Sequence, residues 1–567
     1  MARLKTVEIA RLLREMGRRM QLEKGNPYRA KAYLRAADNL SLATMPVERL
    51  IAEDRLTEIP GIGEALAGVI RQLHETGRYQ KLDTLREAAP EGVLEMLAVP
   101  GLPADRIRKL HEVLGIGSVA ALEEAALSGR LAATKGFGPA FQAKVLQGLE
   151  MSRRPQGRHI HRAALALNHA VSGLAHTHPE LRQATPSGDF RRGCELIGSL
   201  VLVAVDPRGP AKNYEIKAEG LTIHVTSEDR FGITLLLTTG SEKHLAALRT
   251  AAEQKGCTLD AAGLRRGRKI LARATEEEIY RGLDLPFIAP ELRESGEEVE
   301  RARRGALVGL VTDADIRGVM HVHTNRSDGT EPLGIMVQAA RERGYAWLGL
   351  TDHSQTASYA GGLKVEEVRE QQREVEKLNR RLGASFHVFK GIESDILADG
   401  SLDYPSDVLE SFDLIIASVH SRFRMSEKEQ TERILRAIAN PHTTILGHVT
   451  GRQLLRRPGY EVDMEAILRA CAREGVAIEI NANPWRLDMD WRWCARALEL
   501  GCLFAIDPDA HATEEIDNLR WGVLMARKGA VPADRVINAL SAQDFGRWLA
   551  GRKRRSSPVA TKRRRAA

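Results

Sequence analysis

Residues 317–545 repeat one pattern, in which a short apolar run is followed by a segment with helical periodicity. Seven apolar runs occur in this region, and each of them ends in polar residues. A strict alternation of strands and helices predicts a parallel sheet or barrel, because parallel strands need helical crossovers between them. The carboxyl ends of the strands in a barrel converge on one face, so we expect the polar residues to meet there.

The residues at the ends of the runs are of the types that bind transition metals. Six are histidines and three are acids: His321, His323, Asp328, His353, Glu393, His420, His448, Asp509 and His511. Imidazole and carboxylate groups suit Zn, Mn and Fe. Nine ligands exceed the need of one ion; shared between two or three ions, they suit phosphoryl chemistry, because metals activate a bridging water and neutralise the phosphate. A lone histidine is more often a core or surface residue, but that interpretation does not account for seven strand ends with the same chemistry.

These motifs resemble the polymerase-and-histidinol-phosphatase (PHP) family over roughly 230 residues. The resemblance implies a distorted (β/α)7-type barrel with a trinuclear centre of divalent Mn or Zn, with Fe as a further candidate. It assigns one ion to His321, His323, Glu393 and Asp509, which act as catalytic residues, a second to Glu393, His420 and His448, and a third to Asp328, His353 and His511. Arg452 in GHVTGR either holds a substrate phosphate or is a surface arginine.

The length of 567 residues exceeds what one hydrophobic core usually serves, so we expect three or four domains. No apolar run approaches the roughly 20 residues of a membrane span. The charged start MARLKTVEIARLLREMGRRM lacks the apolar region of a secretory signal. The five cysteines are odd in number and scattered, which fits a reducing cytosol. We therefore expect a cytoplasmic protein without a membrane partner.

Periodicity and composition divide the chain into five segments. They are a helical domain at 1–150, a mixed domain at 159–290, a charged linker at 291–316, the strand-helix repeat at 317–548 and a basic tail at 549–567. The last 17 residues contain eight Lys and Arg and no acid, which equals the net charge of +8 for the whole chain. We expect a disordered tail that either binds polyanions through counterion release or aids solubility.

Three glycine-containing turns precede apolar helices in the first segment. The first has Gly61 and Gly63, the second has Gly101 with Pro103 where a glycine is usual, and the third has Gly136 and Gly138. These turns are similar to helix-hairpin-helix motifs, in which backbone N–H groups and a helix N-terminus grip a DNA phosphate. The three copies predict non-specific DNA binding.

The segment SGDFRRGCELIGSLVLVAV resembles the palm motif of family X DNA polymerases, Gly-Ser-x-Arg-Arg-Gly followed by Gly-Asp-x-Asp. In order, the helix-hairpin-helix, palm and PHP segments resemble bacterial X-family polymerases over nearly the whole chain. The resemblance implies a multidomain α+β and α/β fold: a helical domain, a palm- and thumb-like domain, and a PHP barrel. It places Arg191 and Arg192 at the DNA, unless these two arginines are structural.

The catalytic positions of that palm have changed. Polymerase chemistry needs carboxylates that hold two Mg²⁺ ions, but the corresponding positions carry Ser199, Val201 and Thr222. Further departures lie at the expected nucleotide site, at Asp189, Leu237, Thr238 and Leu245. Ala65 and Val69 occupy the positions of a possible lyase lysine in the first domain. We expect a degenerate palm that has become a DNA-binding or structural remnant, with a role for Mg only if polymerase activity survives.

The sequence predicts a metal-dependent 3′-5′ DNA exonuclease or 3′-end-processing phosphoesterase in DNA repair. Its expected partners are gapped, nicked or 3′-ended DNA in the bacterial nucleoid, while protein partners stay unknown. Three alternatives are a gap-filling repair polymerase with an exonuclease, a PHP-type small-molecule phosphatase and a non-catalytic DNA-binding scaffold. The changed palm positions argue against the first, the DNA-binding motifs against the second, and the complete ligand set against the third.

Overall fold

The computed structural model describes residues 4–23, 27–41, 45–59, 61–99, 102–153, 157–209, 213–218 and 220–556. The chain divides into two units, Met1–Gln156 with Leu455–Arg457, and Gly157–Leu454 with Pro458–Ala567. No described helix has both the length and the apolar character needed to cross a membrane.

Apolar residues at spacings of three and four make the described part of the first unit helical, as the periodicity predicts. Its helices are α1 (Thr6–Leu22), α2 (Pro27–Ser41), α3 (Val47–Ala52), α4 (Glu64–Thr76), α5 (Gln80–Ala88), α6 (Glu91–Glu95), α7 (Ala104–Leu114), α8 (Val119–Leu127), α9 (Arg130–Ala133) and α10 (Gly138–Arg153). Two separate buried clusters hold them, one centred on Ile9, Leu13 and Ile70 and the other on Ile107, Leu110 and Leu122.

The second unit begins with an α+β region built on a small mixed sheet. Its elements are β1 (Arg158–His159), α11 (Ile160–Thr177), β2 (Arg182–Pro186), α12 (Gly188–Arg191), β3 (Leu196–Ile197), β4 (Leu200–Val205), β5 (Tyr214–Ala218), β6 (Leu221–Thr226), α13 (Phe231–Thr239), α14 (Glu242–Gln254), β7 (Thr258–Asp260), β8 (Gly263–Arg266), β9 (Lys269–Ala272), α15 (Glu276–Gly282) and α16 (Glu297–Arg303). The four-stranded sheet has the order β2-β4-β6-β5, with β4 and β6 parallel. The last three strands form an antiparallel sheet of their own.

A seven-stranded parallel sheet follows, with its strands in sequence order. The elements are β10 (Gly318–Val322), α17 (Leu333–Glu342), β11 (Trp347–Leu350), α18 (Val365–Leu382), β12 (His387–Asp395), α19 (Ser406–Glu410), β13 (Leu414–Ser418), α20 (Glu427–Ala439), β14 (Ile445–Leu446), α21 (Met464–Glu474), β15 (Ala477–Asn481), α22 (Cys494–Glu499), β16 (Phe504–Asp507), α23 (Leu519–Lys528) and α24 (Ala542–Ser556).

The first and last strands of this sheet meet and close it into a barrel. Val322 and Ala510 form a parallel bridge. The N–H of His323 donates to the carbonyl of Ala510 at 2.9 Å, and the N–H of Ala510 donates to the carbonyl of His321 at 3.0 Å. The expected seven-stranded barrel is therefore confirmed, and its closure places two predicted ligands beside the last strand.

The α+β region and the barrel share one hydrophobic core. Leu167, Leu202 and Ile223 of the former belong to the same buried cluster as Val319 and Ile480 of the latter. Since apolar burial is the main stabilising contribution in folding, these two parts form a single packed body.

Two boundaries differ from the sequence-based expectation. The segment expected to be a linker contains α16, whose Val299 and Ala302 are buried in one cluster with Ile279. The three-residue spacing of these apolar positions forms a helix face that its many charges obscure. The segment expected to be a disordered tail begins inside α24, where Leu549 is only 6% exposed; residues 557–567 lie outside the described part of the chain.

Candidate metal centre

The barrel delivers the nine candidate ligands from the carboxyl ends of its strands. His321 lies in β10 and His323 directly follows it; His353 follows β11, Glu393 lies in β12, and His420 follows β13. His448 comes two residues after β14, and Asp509 comes two residues after β16. Each ligand therefore projects from the end of a buried strand toward the same face.

The ligand atoms form four overlapping groups whose members lie within 4.8 Å of one another. These groups are His323, Asp328, His353 and His511; His321, His323 and Glu393; His321, His448 and Asp509; and His353, Glu393 and His420. All nine candidate ligands are included. The structure thus brings together every residue of the predicted set, in overlapping groups rather than in one shell, which is the arrangement of a multinuclear site.

The inner ligands are buried, and several of their polar atoms lack hydrogen-bond partners. His321 and His323 are fully buried, and Glu393 and His448 are each 1% exposed. Among the described residues, His321 Nε2, both ring nitrogens of His323, His448 Nδ1 and Glu393 Oε2 have no hydrogen-bond partner. Buried polar atoms without partners are costly. Coordination to metal ions would satisfy them, so the donor set fits a metal centre.

Opposite charges dominate the electrostatics of the cluster. Burial alone would raise the pKa of Glu393, but His420, His321 and His353 hold it well below its usual value. Burial alone would lower the pKa of His353, but Glu393 and Asp328 raise it to about 10. The carboxylates are therefore ionised and attract positive charge. Divalent cations would take the place of the histidine protons.

His323 has the opposite behaviour. Burial lowers the pKa of His323 to about 3, with His511 and His353 acting in the same direction. This imidazole is therefore neutral near pH 7, and the neutral form is the one that coordinates metals.

Residues outside the predicted set orient the ligands. Asp395 accepts a hydrogen bond from His420 Nδ1 at 2.6 Å, which turns Nε2 toward Glu393. Glu479 accepts one from His321 Nδ1 and another from the backbone N–H of His448 at 2.5 Å. Such outer partners fix the tautomer and ring orientation of metal-bound histidines. Neither residue belongs to the set predicted from the sequence, although an acid inside an apolar strand, as in AIEIN, is a signal of this role.

Two ligands have left-handed backbone conformations. His321 has a φ of 54° and Asp509 a φ of 53°. For residues other than glycine this region is uncommon, and it persists where the surrounding structure over-determines it. Here Ala510, which follows Asp509, exchanges backbone hydrogen bonds with His321 and His323 where the barrel closes.

The guanidinium of Arg452 is engaged by protein groups, so it is not free to bind a substrate phosphate. Its Nε donates to the carbonyl of Arg486 at 3.1 Å, and its Nη1 pairs with Asp490 at 2.9 Å. Its Nη2 donates to the carbonyl of Leu487 and to Glu195 Oε1, the latter at 3.2 Å. The arginine that reaches the candidate centre is Arg486, whose Nε lies 3.3 Å from Asp509 Oδ2.

The changed palm positions lie together. Val201 in β4 and Thr222 in β6 are direct partners on parallel strands, and the exposed Ser199 comes just before β4. The structure therefore brings the three predicted positions together, and their side chains are a hydroxyl, an isopropyl and a hydroxyl group.

The two palm arginines are engaged inside the protein. Arg191 makes two hydrogen bonds to Glu276, at 2.9 and 2.6 Å. Arg192 contacts Glu294 at 3.0 Å and Asp189 at 2.5 Å. Of the two alternatives for these arginines, DNA contact and a structural role, the internal ion pairs favour the structural role.

Three of the four glycines in the first and third helical turns have backbone conformations that favour glycine. Gly61, Gly136 and Gly138 have φ of 79°, 96° and 78°. Gly63 is the N-terminal cap of α4, and Gly138 begins α10. Gly101 of the second turn lies outside the described residues. Val69 is buried in the core of the first unit, which leaves no amine at this lyase position.

Three protein families match parts of the chain. They are the helix-hairpin-helix domain over residues 5–79, the DNA polymerase beta thumb over 234–294 and the PHP domain over 320–483. The thumb match includes α13 to α15, and the PHP match includes β10 to β15.

Curated relatives match either the whole chain or its barrel. The DNA polymerase/3′-5′ exonuclease PolX of Bacillus subtilis (strain 168) is 32% identical over 96% of this chain and 99% of that protein. A probable phosphatase of Thermoanaerobacter sp. (strain X514) is 27% identical over 39% of this chain and 90% of that protein. Another, from Vibrio parahaemolyticus, is 31% identical over 29% of this chain and 66% of that protein.

Proposed function

The chain belongs to the bacterial family X DNA polymerases that carry a PHP domain, and from this premise we propose that it is a metal-dependent 3′-5′ DNA exonuclease or 3′-end-processing phosphoesterase in DNA repair. The observation that carries the proposal is the cluster of nine candidate ligands at one end of the barrel. The B. subtilis relative has both activities in its name. The ligand set supports the hydrolytic activity here.

Glu393 is central to the proposed site. Its Oε1 lies 3.0 Å from His448 Nε2 and 3.2 Å from His420 Nε2, while its Oε2 lies 2.9 Å from His353 Nδ1. The two oxygens thus face two different sets of histidines, as a carboxylate that bridges two ions would. Glu393 and these histidines would hold divalent ions, which would supply the activation of a water and the neutralisation of charge on the attacked phosphate.

The outer ligands form the open side of the site. The side chains of Asp328 and His511 are 36% and 29% exposed, in contrast to the buried His321 and His323. We propose that a DNA 3′ end enters from this side. Mn²⁺ and Zn²⁺ are the proposed ions, with Fe²⁺ as a third candidate, because histidine and carboxylate ligands suit all three.

The remaining segments are proposed to bind DNA. The family matches of the helical domain and the thumb support DNA as the partner; gapped, nicked and 3′-ended forms are our proposal for the substrate. We propose that residues 1–150 grip the backbone of DNA, that 159–303 form the degenerate polymerase-like part, and that 317–548 carry the catalytic centre.

Polymerase activity is the first alternative, and the family favours it. Two-metal nucleotidyl transfer needs carboxylates to hold its ions, and Ser199, Val201 and Thr222 offer none. The internal pairs of Arg191 and Arg192 also leave these cations neutralised. We therefore propose that Mg²⁺-dependent synthesis has been lost.

The second alternative is a small-molecule phosphatase, which the likeness of the barrel to the probable phosphatases favours. The helix-hairpin-helix match, which covers residues outside the barrel, favours DNA instead. A third alternative, a non-catalytic scaffold, would give no reason for nine metal-binding side chains in one cluster.

The test compares substrates on one protein. A 5′-labelled gapped duplex and p-nitrophenyl phosphate are each incubated with the full-length protein and Mn²⁺ or Zn²⁺, beside a His321→Ala/His323→Ala variant. The proposal expects the DNA to shorten from its 3′ end, and the activity to vanish in the variant. Turnover of the small ester without DNA shortening would establish the phosphatase instead, and no turnover of either substrate would favour the scaffold.

A further inference from the structure

A loop of the barrel that reaches the candidate metal centre is held by the polymerase-like region. The loop follows β15 and runs from residue 482 to 492. One of its residues, Arg486, contacts the ligand Asp509, and two of its residues, Trp485 and Trp491, contact the region before the barrel. The loop therefore contacts both the barrel and the preceding α+β region, which were predicted from the sequence to be separate domains.

Arg486 has the features of a phosphate-binding group. Its Nε lies 3.3 Å from Asp509 Oδ2, whereas the other oxygen of Asp509 faces His321 and His323 at 3.6 and 3.5 Å. Among the described residues, no protein group accepts a hydrogen bond from its two terminal nitrogens, and its side chain is 18% exposed. A guanidinium fork that is half engaged and points to a metal-binding cluster suits a phosphate oxygen, which it can bind with two parallel bonds.

The backbone around Arg486 is held by hydrogen bonds from Arg452 and Leu454. Arg452 donates to the carbonyls of Arg486 and Leu487. The N–H of Leu454 donates to the carbonyl of Trp485 at 2.7 Å. Three successive carbonyl groups of the loop are thus held by the segment that follows β14, which determines where the side chain of Arg486 begins.

The polymerase-like region orients this clamp. Glu195 lies 3.2 Å from Arg452 Nη2, and it also accepts from Trp491 Nε1 and Arg492 Nη1, each at 3.4 Å. The side chain of Glu195 is only 12% exposed, so its interactions are weakly screened by solvent.

Trp485 is held from the same side. The ring of His159 lies 4.4 Å from the ring of Trp485 in an edge-on arrangement, and the guanidinium carbon of Arg162 lies 4.9 Å from the Trp485 ring. His159 Nε2 also contacts the carbonyl of Leu454 at 3.0 Å. Both anchors of the loop therefore come from the region that precedes the barrel.

We propose that Arg486 binds the phosphate of the substrate beside the metal centre, and that the polymerase-like region positions this arginine through Glu195, Arg452 and Trp485. The degenerate palm would then serve the hydrolytic site of the same chain. The inference rests on the proposed phosphoesterase function and names the phosphate subsite of that site. Arg486 is the contacting residue, and Glu195 and Arg452 are positioning residues.

The test measures phosphate binding and DNA hydrolysis separately in full-length, metal-loaded protein. Inorganic phosphate is titrated by calorimetry, and KM and kcat are measured on a 5′-labelled gapped duplex. Arg486→Ala should weaken phosphate binding about 10-fold or more and raise KM, as expected when a charged hydrogen-bond donor is lost. Arg486→Lys should recover part of the loss, and the metal content should stay unchanged in both.

Glu195→Gln should weaken phosphate binding by a smaller factor than Arg486→Ala does. In a protein that already carries Arg486→Ala, Glu195→Gln should not weaken phosphate binding further. Glu215→Gln is the control, because Glu215 is an exposed acid of the four-stranded sheet in the same region and pairs with Lys217. Arg452→Lys gives a second route if Glu195→Gln folds poorly, since lysine keeps the charge but cannot clamp two carbonyls.

The outcomes separate the two proposals. DNA hydrolysis with unchanged phosphate binding in Arg486→Ala would overturn the phosphate subsite and leave the proposed function standing. Phosphate binding that depends on Arg486, without DNA hydrolysis by the unaltered protein, would support the subsite and reject the exonuclease. Fully additive effects of Glu195→Gln and Arg486→Ala would overturn the positioning role.

Discussion

Val201 and Thr222 face each other as direct partners on the parallel strands β4 and β6. In a two-metal polymerase such neighbouring positions would hold acids, because carboxylates anchor the ions. We predict that the protein does not bind Mg²⁺-dTTP at millimolar concentration in equilibrium titrations. Binding in the micromolar range would show that another set of residues has taken over the nucleotide site.

Glu276 should stabilise the polymerase-like region strongly. It is 4% exposed and pairs with both Arg191 and the fully buried Arg293. Glu276→Gln should lower the free energy of unfolding by about 3–5 kcal/mol, since it leaves a buried cation without its partner. Chemical denaturation of the two proteins, followed by tryptophan fluorescence, measures the difference. Glu278→Gln, at an exposed position of the same helix, should change little.

The effect of Glu276 should depend on pH. Burial alone would raise the pKa of Glu276, but Arg191 and Arg293 hold it below the ordinary value of 4.5. A carboxyl group whose pKa is lowered on folding contributes stability above its ordinary pKa and loses it as the pH falls through the lower, folded value. The difference between the original protein and Glu276→Gln should therefore be full at pH 7 and shrink below about pH 4.5. A constant difference across this range would contradict the ion-pair explanation.

Asp395 should tune the metal centre through His420. Outer partners of metal-bound histidines typically contribute about 10–100-fold to metal affinity or activity. Asp395→Asn should therefore reduce metal affinity or activity by about 10–100-fold. Competition with a chromogenic chelator measures the affinity. Asp399→Asn is the control, because Asp399 is an acid on the same stretch of chain whose carboxylate accepts from Ser401. Equal effects of both substitutions would remove the specific role of Asp395.

Tyr359 should stack on the terminal base of bound DNA. Its ring is 69% exposed and lies 6.3 Å from the ring of His353 and 6.4 Å from that of His420. Base stacking on an aromatic residue is worth about 1–3 kcal/mol, so Tyr359→Ala should raise KM for DNA, while Tyr359→Phe should not. A loss of similar size in the phenylalanine variant would point to the hydroxyl group instead.

Gly136 should be needed for DNA binding by the helical domain. Its φ of 96° favours glycine, and the amine of Lys109 lies close to where a Cβ atom would be. Gly136→Val should weaken binding to a non-specific duplex and reduce its salt dependence. Gly129, with a φ of 77°, lies in a turn outside the three motifs and provides the matched control for strain alone. Equal weakening by Gly129→Val would contradict a motif-specific contact.

The ligands of the candidate centre were predictable because they lie at or shortly after the ends of apolar runs, and strand ends of a barrel converge. His321 and Asp509 are separated by more than half of the barrel sequence, yet the alternation of strands and helices alone brings them together. The left-handed backbone of both residues was not predictable, because it depends on bonds between the first and last strands.

The supporting residues could not be inferred in the same way. Arg452 follows His448 closely in sequence, which suggested a phosphate-binding role, but its fork turns toward carbonyl groups and toward Glu195, 257 residues earlier in the chain. Contacts at such separations depend on how the α+β region packs against the barrel. The buried α16 is a different case, because Val299 and Ala302 have helical spacing that the surrounding charges hid.

The most direct test of the central claim is a primer–template assay with Mn²⁺ or Mg²⁺, with and without dNTPs. We predict that the primer shortens from its 3′ end, that dNTPs cause no extension, and that His321→Ala/His323→Ala abolishes the shortening. Extension of the primer on addition of dNTPs would contradict the loss of polymerase chemistry. Shortening that survives in the double variant would show that the nine-ligand cluster is not the hydrolytic centre.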